Sequence, residues 1–489
     1  MADTATVTHL GLLIGGSWRP ARGGRELQTH DPANGELIGV VAEAGSEDVD
    51  DAVKAARAAL QSEAWQGITP SARAQMLHRI ADLVEESADE LAELETRDQG
   101  QPLGVARGVS VANAVETLRY FAGWVTKLNG ETLPPATVPG VFQYTRREPV
   151  GVCALITPWN FPLMIAVWKI APALACANTV ILKPAEQTPL TSLKLGELIQ
   201  EAGVPDGVFN VLSGGPDTGR ALVEHPEVDK VSFTGSVEVG REIVRASAGN
   251  LKRVSLELGG KSASIVLADA DLDAAATVSL EAGFGNSGQI CAAYTRLFVN
   301  RRRLDEFAER ACEIAEALRL GPGLAPGTDL GPLVSEEQLN RVESYVRIGE
   351  GEGAKLLTGG SRASEHELAN GWFYRPTLFS EVTDEMRIAR EEIFGPVLAI
   401  LPYDDPAELV ERANGTEFGL GASIWTRDVA RAHRLAAALR AGTVWVNMGN
   451  AIDPATPWGG FKASGWGREM GAQALDSYTE TKSVWVSLD

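Results

Sequence analysis

From Val150 onward, short β-rich runs alternate with helical ones. VGVCALI is followed by LMIAVWKIAPALA, TVILK by LTSLKLGELIQEAG, VFNVL by a short helix, KVSFTG by VEVGREIVRAS, and the series closes on RVSLELGG. Such alternation predicts a parallel, doubly wound α/β sheet that binds a nucleotide at the C-terminal ends of its strands. A second α/β series begins near Ser262 and lasts to about Val446. At 489 residues the chain is too long for one hydrophobic core, so two or three lobes are expected. Ahead of the first series the chain reads as mainly helical. Ser46 is placed to cap a helix with apolar positions Val49, Val53, Ala56 and Leu60, and a longer helix is expected from about Ser71 to Arg97. The turn-rich run NGETLPPATVPG, from Gly130 to Gly140, should begin a linker or projecting ribbon. The tail LDSYTETKSVWVSLD alternates apolar and polar residues and reads as an exposed strand. Open strand edges usually pair, here with another subunit as a natural partner.

Composition narrows the partners. The formal net charge of −21 and pI near 4.9 should repel phosphate backbones and anionic lipid, so neither nucleic acid nor membranes are expected partners. The most apolar stretch, Leu163 to Leu182, is interrupted by Lys169, Pro172 and Asn178, and no span of roughly 20 near-continuous apolar residues exists. The N-terminus lacks the basic region and apolar run of a secretory signal. Four widely spaced cysteines without a CxxC pair argue against a disulfide scaffold or structural zinc and for a reducing, cytoplasmic setting. Six scattered histidines show no ligand spacing, so no metal site is expected.

Two apparent dinucleotide fingerprints fail on position. Gly283, Gly285 and Gly288 fit G-x-G-x-x-G, and Gly349, Gly351 and Ala354 its looser form, but both follow helical runs where a strand is required. FTGSVEVG is better placed: Gly235 and Ser236 end a strand and open a helix, where free N–H groups meet an anion. An ordinary βα turn capped by Ser236 explains the same residues. Cys291 lies in GNSGQICAAYTR, where Gly285, Asn286, Gly288 and Gln289 make a polar loop that a ligand can reach. A lone apolar-flanked cysteine is more often inert, a reading that suits Cys153, Cys176 and Cys312. Glu257 ends a strand at the mouth of the sheet, where a general base would serve; a solvated strand end is the plainer account. Asn160, held between prolines in TPWNFP, could donate to an oxyanion or simply hold the turn.

Together, TPWNFP, ILKPAEQTP, FTGSVEVG, LELGGK, NSGQICAA, EEIFGPV and GGFKASGWGRE, in this order and spacing, resemble the aldehyde dehydrogenase superfamily over nearly the whole chain. The resemblance implies a variant Rossmann NAD-binding domain of residues 1–127 and 148–258, an α/β catalytic domain of residues 259–446, and a small β oligomerisation element of residues 128–147 and 465–489. It implies a soluble dimer, or a dimer of dimers (a homotetramer). By matched position, Cys291 resembles the nucleophile, Asn160 the oxyanion donor beside the Cys291 N–H, and Glu257 the general base. Lys169 and Glu469 match a proton relay behind that base. Lys183 and Glu186 resemble the residues on the adenosine ribose, Gly235 and Ser236 the pyrophosphate contacts, and Glu392 and Phe394 the partners of the nicotinamide ribose and ring. Ile156, Thr157, Pro158, Trp159, Gly215, Gly219, Phe233 and Leu258 match further cofactor-lining positions.

The reaction implied is attack of the Cys291 thiolate on an aldehyde, loss of hydride to leave a thioester, and hydrolysis by water that Glu257 activates. A carboxylate at Glu186 disfavours a 2′-phosphate, so NAD is expected over NADP, with Lys183 as a partial offset. Phe161, Met164, Trp168, Asn450, Ile452 and Trp458 would line the substrate tunnel. None is cationic, which suits an aromatic or medium-chain apolar aldehyde better than a semialdehyde carrying a second carboxylate. GGFKASGWGREMGAQALDSYTETKSV resembles phenylacetaldehyde-type bacterial members, whereas Trp168 and Trp458 also resemble a betaine-aldehyde-type pocket, which commonly has a further tryptophan where this chain has Gly285. The alternatives are a coenzyme-A-acylating member, which typically lacks the base, and a non-catalytic protein on the same scaffold.

Overall fold

The computed structural model describes residues 7–489, and in it the alternating series forms an eight-stranded sheet. Five strands, Arg253–Glu257, Lys230–Thr234, Val152–Ile156, Thr179–Lys183 and Phe209–Val211, lie side by side and parallel. Helices Pro162–Ala175, Leu190–Glu201, Pro216–Glu224 and Val237–Ser247 make the crossovers. Each of these strands is largely buried, as a sheet covered on both faces requires. The second series forms a seven-stranded sheet whose central strands are Ala263–Val266 and Arg296–Asn300. Its antiparallel edge, Lys355–Thr358, closes one side.

Three expectations need correction. Residues 7–45 are not helical but hold five short strands. Two of them, Leu12–Ile14 and Ser17–Arg19, form a hairpin at the edge of the eight-stranded sheet. Gly15 and Gly16 turn it with φ of 60° and 82°, the left-handed pair that a tight hairpin demands. Ser46 is the first residue of its helix and not the cap. Gly45 takes that place, its N–H bonded to the Asp48 carboxylate at 2.9 Å. The long helix is two, Pro70–Glu86 capped by the Thr69 hydroxyl and Ala88–Gln99, broken at Ser87.

The tail strand Thr479–Ser487 pairs antiparallel along its whole length with Val141–Pro149 of the same chain. Thr132–Leu133 adds a third strand to this ribbon, within the turn-rich run. Gly465–Trp466 lies elsewhere, as the antiparallel edge beside Arg253–Glu257. Among the described residues, no helix is long and apolar enough to cross a membrane.

Candidate active site

Three parallel strands set one wall of the site. Their C-terminal ends deliver Pro158–Asn160, Gly235–Ser236 and Glu257–Gly259 to the same edge of the sheet. The second sheet contributes Cys291, Glu392 and Phe394, and together they line an open cleft of about 1520 Å³. Trp159 and Phe394 meet edge to face across it, their rings 5.1 Å apart. Leu258 also lines the cleft, while Ile156, Thr157 and Phe233 are buried in the strands behind it. Lys183, Glu186, Gly215 and Gly219 lie at the neighbouring strand end and helix Pro216–Glu224. There the Lys183 ammonium is 3.7 Å from Glu186, and a Cβ on Gly219 would touch the Lys183 chain at 3.6 Å.

The loop that holds the thiol is laced to the Asn160 turn in both directions. Asn160 Nδ2 donates to the Gln289 carbonyl at 2.9 Å, and Asn286 Nδ2 donates to the Asn160 carbonyl at 2.9 Å. One of the two Asn160 amide N–H groups is thereby spent on orientation, and the other is left for a ligand. Asn286 and Ser287 hold φ of 48° and 55°, a left-handed pair rare outside glycine. Gly260 is required here, because a Cβ would stand 2.2 Å from the Cys291 carbonyl oxygen.

Burial governs the charges. Glu257 is 4% exposed and neither carboxylate oxygen has a hydrogen-bond partner. Desolvation first, and then the Glu469 carboxylate, push its pKa well above the usual range against the pull of Lys169 and Arg468. Lys169 is fully buried and forms an ion pair with Glu469 behind the base. The half-buried Cys291 thiol is also pushed up, by desolvation and then by Glu392 and Glu257, while the Ala292 and Cys291 N–H groups oppose the shift. Burial raises Glu392 to about 7, although its Oε1 accepts the Gly260 N–H at 2.9 Å. Cys153 and Cys176 are buried and Cys312 is partly covered on a helix, so the inert reading suits all three.

Phe161, Met164, Trp168 and Trp458 belong to one apolar cluster, against which Cys291 and Ile452 pack. The Trp168 and Trp458 rings are 5.8 Å apart. Asn450 keeps both amide atoms buried without a partner. Sequence reading missed Tyr294 and Trp445, which extend the aromatic run. It also missed Gln338 and Arg341, whose side chains hold the backbone of Phe394 at 2.7 Å and Glu392 at 2.6 Å. Their three-residue spacing on helix Glu336–Gly351 puts them on one face, the only signal the sequence carried. Ser236 caps helix Val237–Ser247 by accepting the Val239 N–H at 3.2 Å, as the plainer reading of that turn required.

A thiol, an oriented amide donor and an unpartnered carboxylate in one cleft at the mouth of a nucleotide-type fold define a class of oxidoreductase. The aldehyde dehydrogenase family model matches residues 18–484, and the chain belongs to that family. Phenylacetaldehyde dehydrogenase of Pseudomonas fluorescens is 48% identical, over 97% of this chain and 95% of that one. Human retinaldehyde dehydrogenase 3 is 47% identical, over 98% and 93%. The NAD+ complex of an aldehyde dehydrogenase from Bacillus cereus superposes with a TM-score of 0.96 at 46% identity, covering 98% of this chain and 97% of that one. The chain is therefore an enzyme that oxidises aldehydes.

Proposed function

We propose that this enzyme converts aromatic or medium-chain apolar aldehydes to carboxylic acids through a Cys291 thioester, with NAD preferred over NADP. The observation that carries the reading is the meeting of Cys291, Asn160 and Glu257 in one cleft. Two glycines support a cofactor there. A Cβ on Gly259 would stand 2.1 Å from Glu392 Oε2, and one on Gly235 2.4 Å from the Phe233 ring, so both backbones pass where only glycine fits. Gly235, Ser236 and the first N–H groups of helix Val237–Ser247 would hold the pyrophosphate, and Lys183 with Glu186 the adenosine ribose. Glu392 and Phe394 would hold the nicotinamide end. When bound, NAD supplies the acceptor for the aldehyde hydride.

The chain's own residues do the rest. Cys291 sulfur adds to the carbonyl carbon, and the free Asn160 N–H with the Cys291 N–H stabilises the oxyanion. After hydride leaves, the carbonyl re-forms as a thioester. Glu257 takes a proton from water, which attacks that carbonyl and releases the acid. The aromatic cluster of Trp168, Trp445 and Trp458 supports an apolar substrate, as do the substrates named for the phenylacetaldehyde and retinaldehyde relatives. Purified enzyme with NAD and a panel of phenylacetaldehyde, hexanal, betaine aldehyde and succinic semialdehyde tests the reading through NADH absorbance. Phenylacetaldehyde or hexanal should give the highest kcat/KM, and Cys291→Ala should abolish turnover. Turnover that survives in Cys291→Ala refutes the thioester route, and a ranking led by betaine aldehyde refutes the substrate class.

A further inference from the structure

Residues 391–395 form one wall of the cleft and belong to neither a strand nor a helix. Glu392 and Phe394 face the cleft, while Ile393 between them is 1% exposed and packs into the core. Carbonyls outside regular structure must find partners elsewhere. Here a single helix supplies them. Gln338 Nε2 donates to the Ile393 and Phe394 carbonyls at 3.1 and 2.7 Å, and Arg341 to the Glu392 and Ile393 carbonyls at 2.6 and 3.3 Å. Gln338, Arg341 and Tyr345 lie on one stripe of helix Glu336–Gly351. Val342 of the same helix leaves no room for a Cβ on Gly395, so the segment lies directly against it.

Tyr345 holds the upper end of this stripe. It is 7% exposed, and its hydroxyl donates to Glu391 Oε2 at 2.7 Å. Two guanidiniums lie over its ring, Arg341 at 5.2 Å and Arg387 at 5.6 Å from the centre. Their repulsion is offset by Glu391, which takes Arg387 through two bonds of 2.9 Å. A guanidinium stacked on a ring keeps its plane, so the Arg341 fork is oriented before it meets the carbonyls. Phe394 gives the clasp something to hold. Its φ of 62° is rare for a bulky residue, and such a conformation persists only where the surroundings over-determine it. A loop that needed anchoring alone would be served by buried Ile393. The clasp also takes the carbonyls on either side, those of the two residues that face the cleft.

We propose that Tyr345, with Arg387 and Glu391, is a positioning device for the nicotinamide end of the cofactor. It fixes Arg341, which with Gln338 sets where Glu392 and Phe394 stand. The inference rests on the reading that Glu392 and Phe394 hold that end. Tyr345 acts through Arg341 and the backbone, so its loss should be felt in cofactor binding and hydride transfer and not in the chemistry of the thiol.

Tyr345→Leu in the full-length enzyme removes the ring, and Tyr345→Phe keeps the ring and gives up the bond to Glu391. In Tyr345→Leu the KM for NAD should rise about tenfold and kcat fall about tenfold, together the ~10²-fold that a misplacement of about 1 Å costs. The KM for aldehyde should hold. The NADH burst in stopped-flow should slow, and an aldehyde carrying deuterium at the transferred position should slow it further, as limiting hydride transfer requires. Hydrolysis of p-nitrophenyl acetate, which acylates the thiol without cofactor, should stay within about twofold of wild type. Tyr345→Phe should recover most of the loss. Arg387→Met, at the surface, should raise the KM for NAD about threefold with an unchanged melt, and so reads the clasp even if Tyr345→Leu unfolds. Wild-type KM for NAD and burst in Tyr345→Leu and Arg387→Met overturn the proposal. Ester hydrolysis that falls in step with oxidation also overturns it, because the damage then reaches the thiol, and so does Tyr345→Phe as impaired as Tyr345→Leu. A Glu392→Gln variant with wild-type KM for NAD removes the cofactor-end reading and the clasp with it.

Discussion

At the scale of single residues, the site is a set of opposed charges held out of water. Asn160 is oriented by its bond to Gln289 and has one N–H to give, so Asn160→Ala should cost about 10²–10³ in kcat, the usual loss for one oxyanion donor. Steady-state NADH assays beside a thermal melt separate this loss from unfolding. Glu392 makes a sharper test, because it acts on the thiol as well as on the proposed cofactor end. Its carboxylate raises the Cys291 pKa, and its own pKa is about 7. Below that pH Glu392 is neutral and exerts little field; above it the charge suppresses the thiolate. Glu392→Gln should therefore speed iodoacetamide alkylation of Cys291 above pH 7 and leave it little changed below. The KM for NAD should rise in the same variant. Equal alkylation rates at every pH would remove Glu392 from the thiol's environment.

At the scale of elements, the reading depended on how local the signal was. Asn160 and Cys291 sit in loops and Glu257 at the last position of a strand, where turn residues and polar composition mark them out in one dimension. The Gly15-Gly16 hairpin was equally local and was passed over, because three-residue strands are too short for alternation to register. The break at Ser87 has no glycine or proline to announce it, and helical periodicity continues across it. Gln338 and Arg341 share a helix face by their spacing, but their role exists only once that distant helix packs against Ile393 and Phe394. Glu95, missed for the same reason, holds the start of the helix that bears Trp168 and Lys169 by accepting the Leu163 N–H at 3.2 Å. Burial raises its pKa from 4.5 to about 8. A carboxyl raised on folding favours the folded state while neutral, so its contribution is complete below the unfolded value and is lost as pH rises through 8. Glu95→Gln should keep the accepted bond and remove the titration. Its melting temperature should fall less than the wild type's between neutral pH and pH 9, by differential scanning calorimetry, and parallel pH curves would refute the assignment.

At the scale of the whole molecule, the ribbon of Val141–Pro149 and Thr479–Ser487 stands apart in character from both sheets. A three-stranded sheet is near the lower limit of independent stability and gains by covering a face. Phe142 and Val486 are ladder partners on one face and are 43% and 42% exposed, with Leu488 beyond them at 68%. A chain of net charge −21 repels its copies over most of its surface, so an apolar patch on a strand ribbon is where association can overcome that repulsion. We propose that the ribbon makes the subunit contact, in which case the enzyme should run as a dimer or tetramer of the 52.0 kDa chain in light scattering. Phe142→Asp with Val486→Asp puts two charges into the same small area and should shift the mass toward 52.0 kDa, with helical content by circular dichroism unchanged. The cleft is built from strand ends far along the chain from the ribbon, so the dissociated form should still bind NAD by fluorescence titration, with its loss appearing first in melting temperature. A wild type that is already monomeric leaves the exposed apolar face without this role, and an unchanged mass in the double variant moves the contact to another surface.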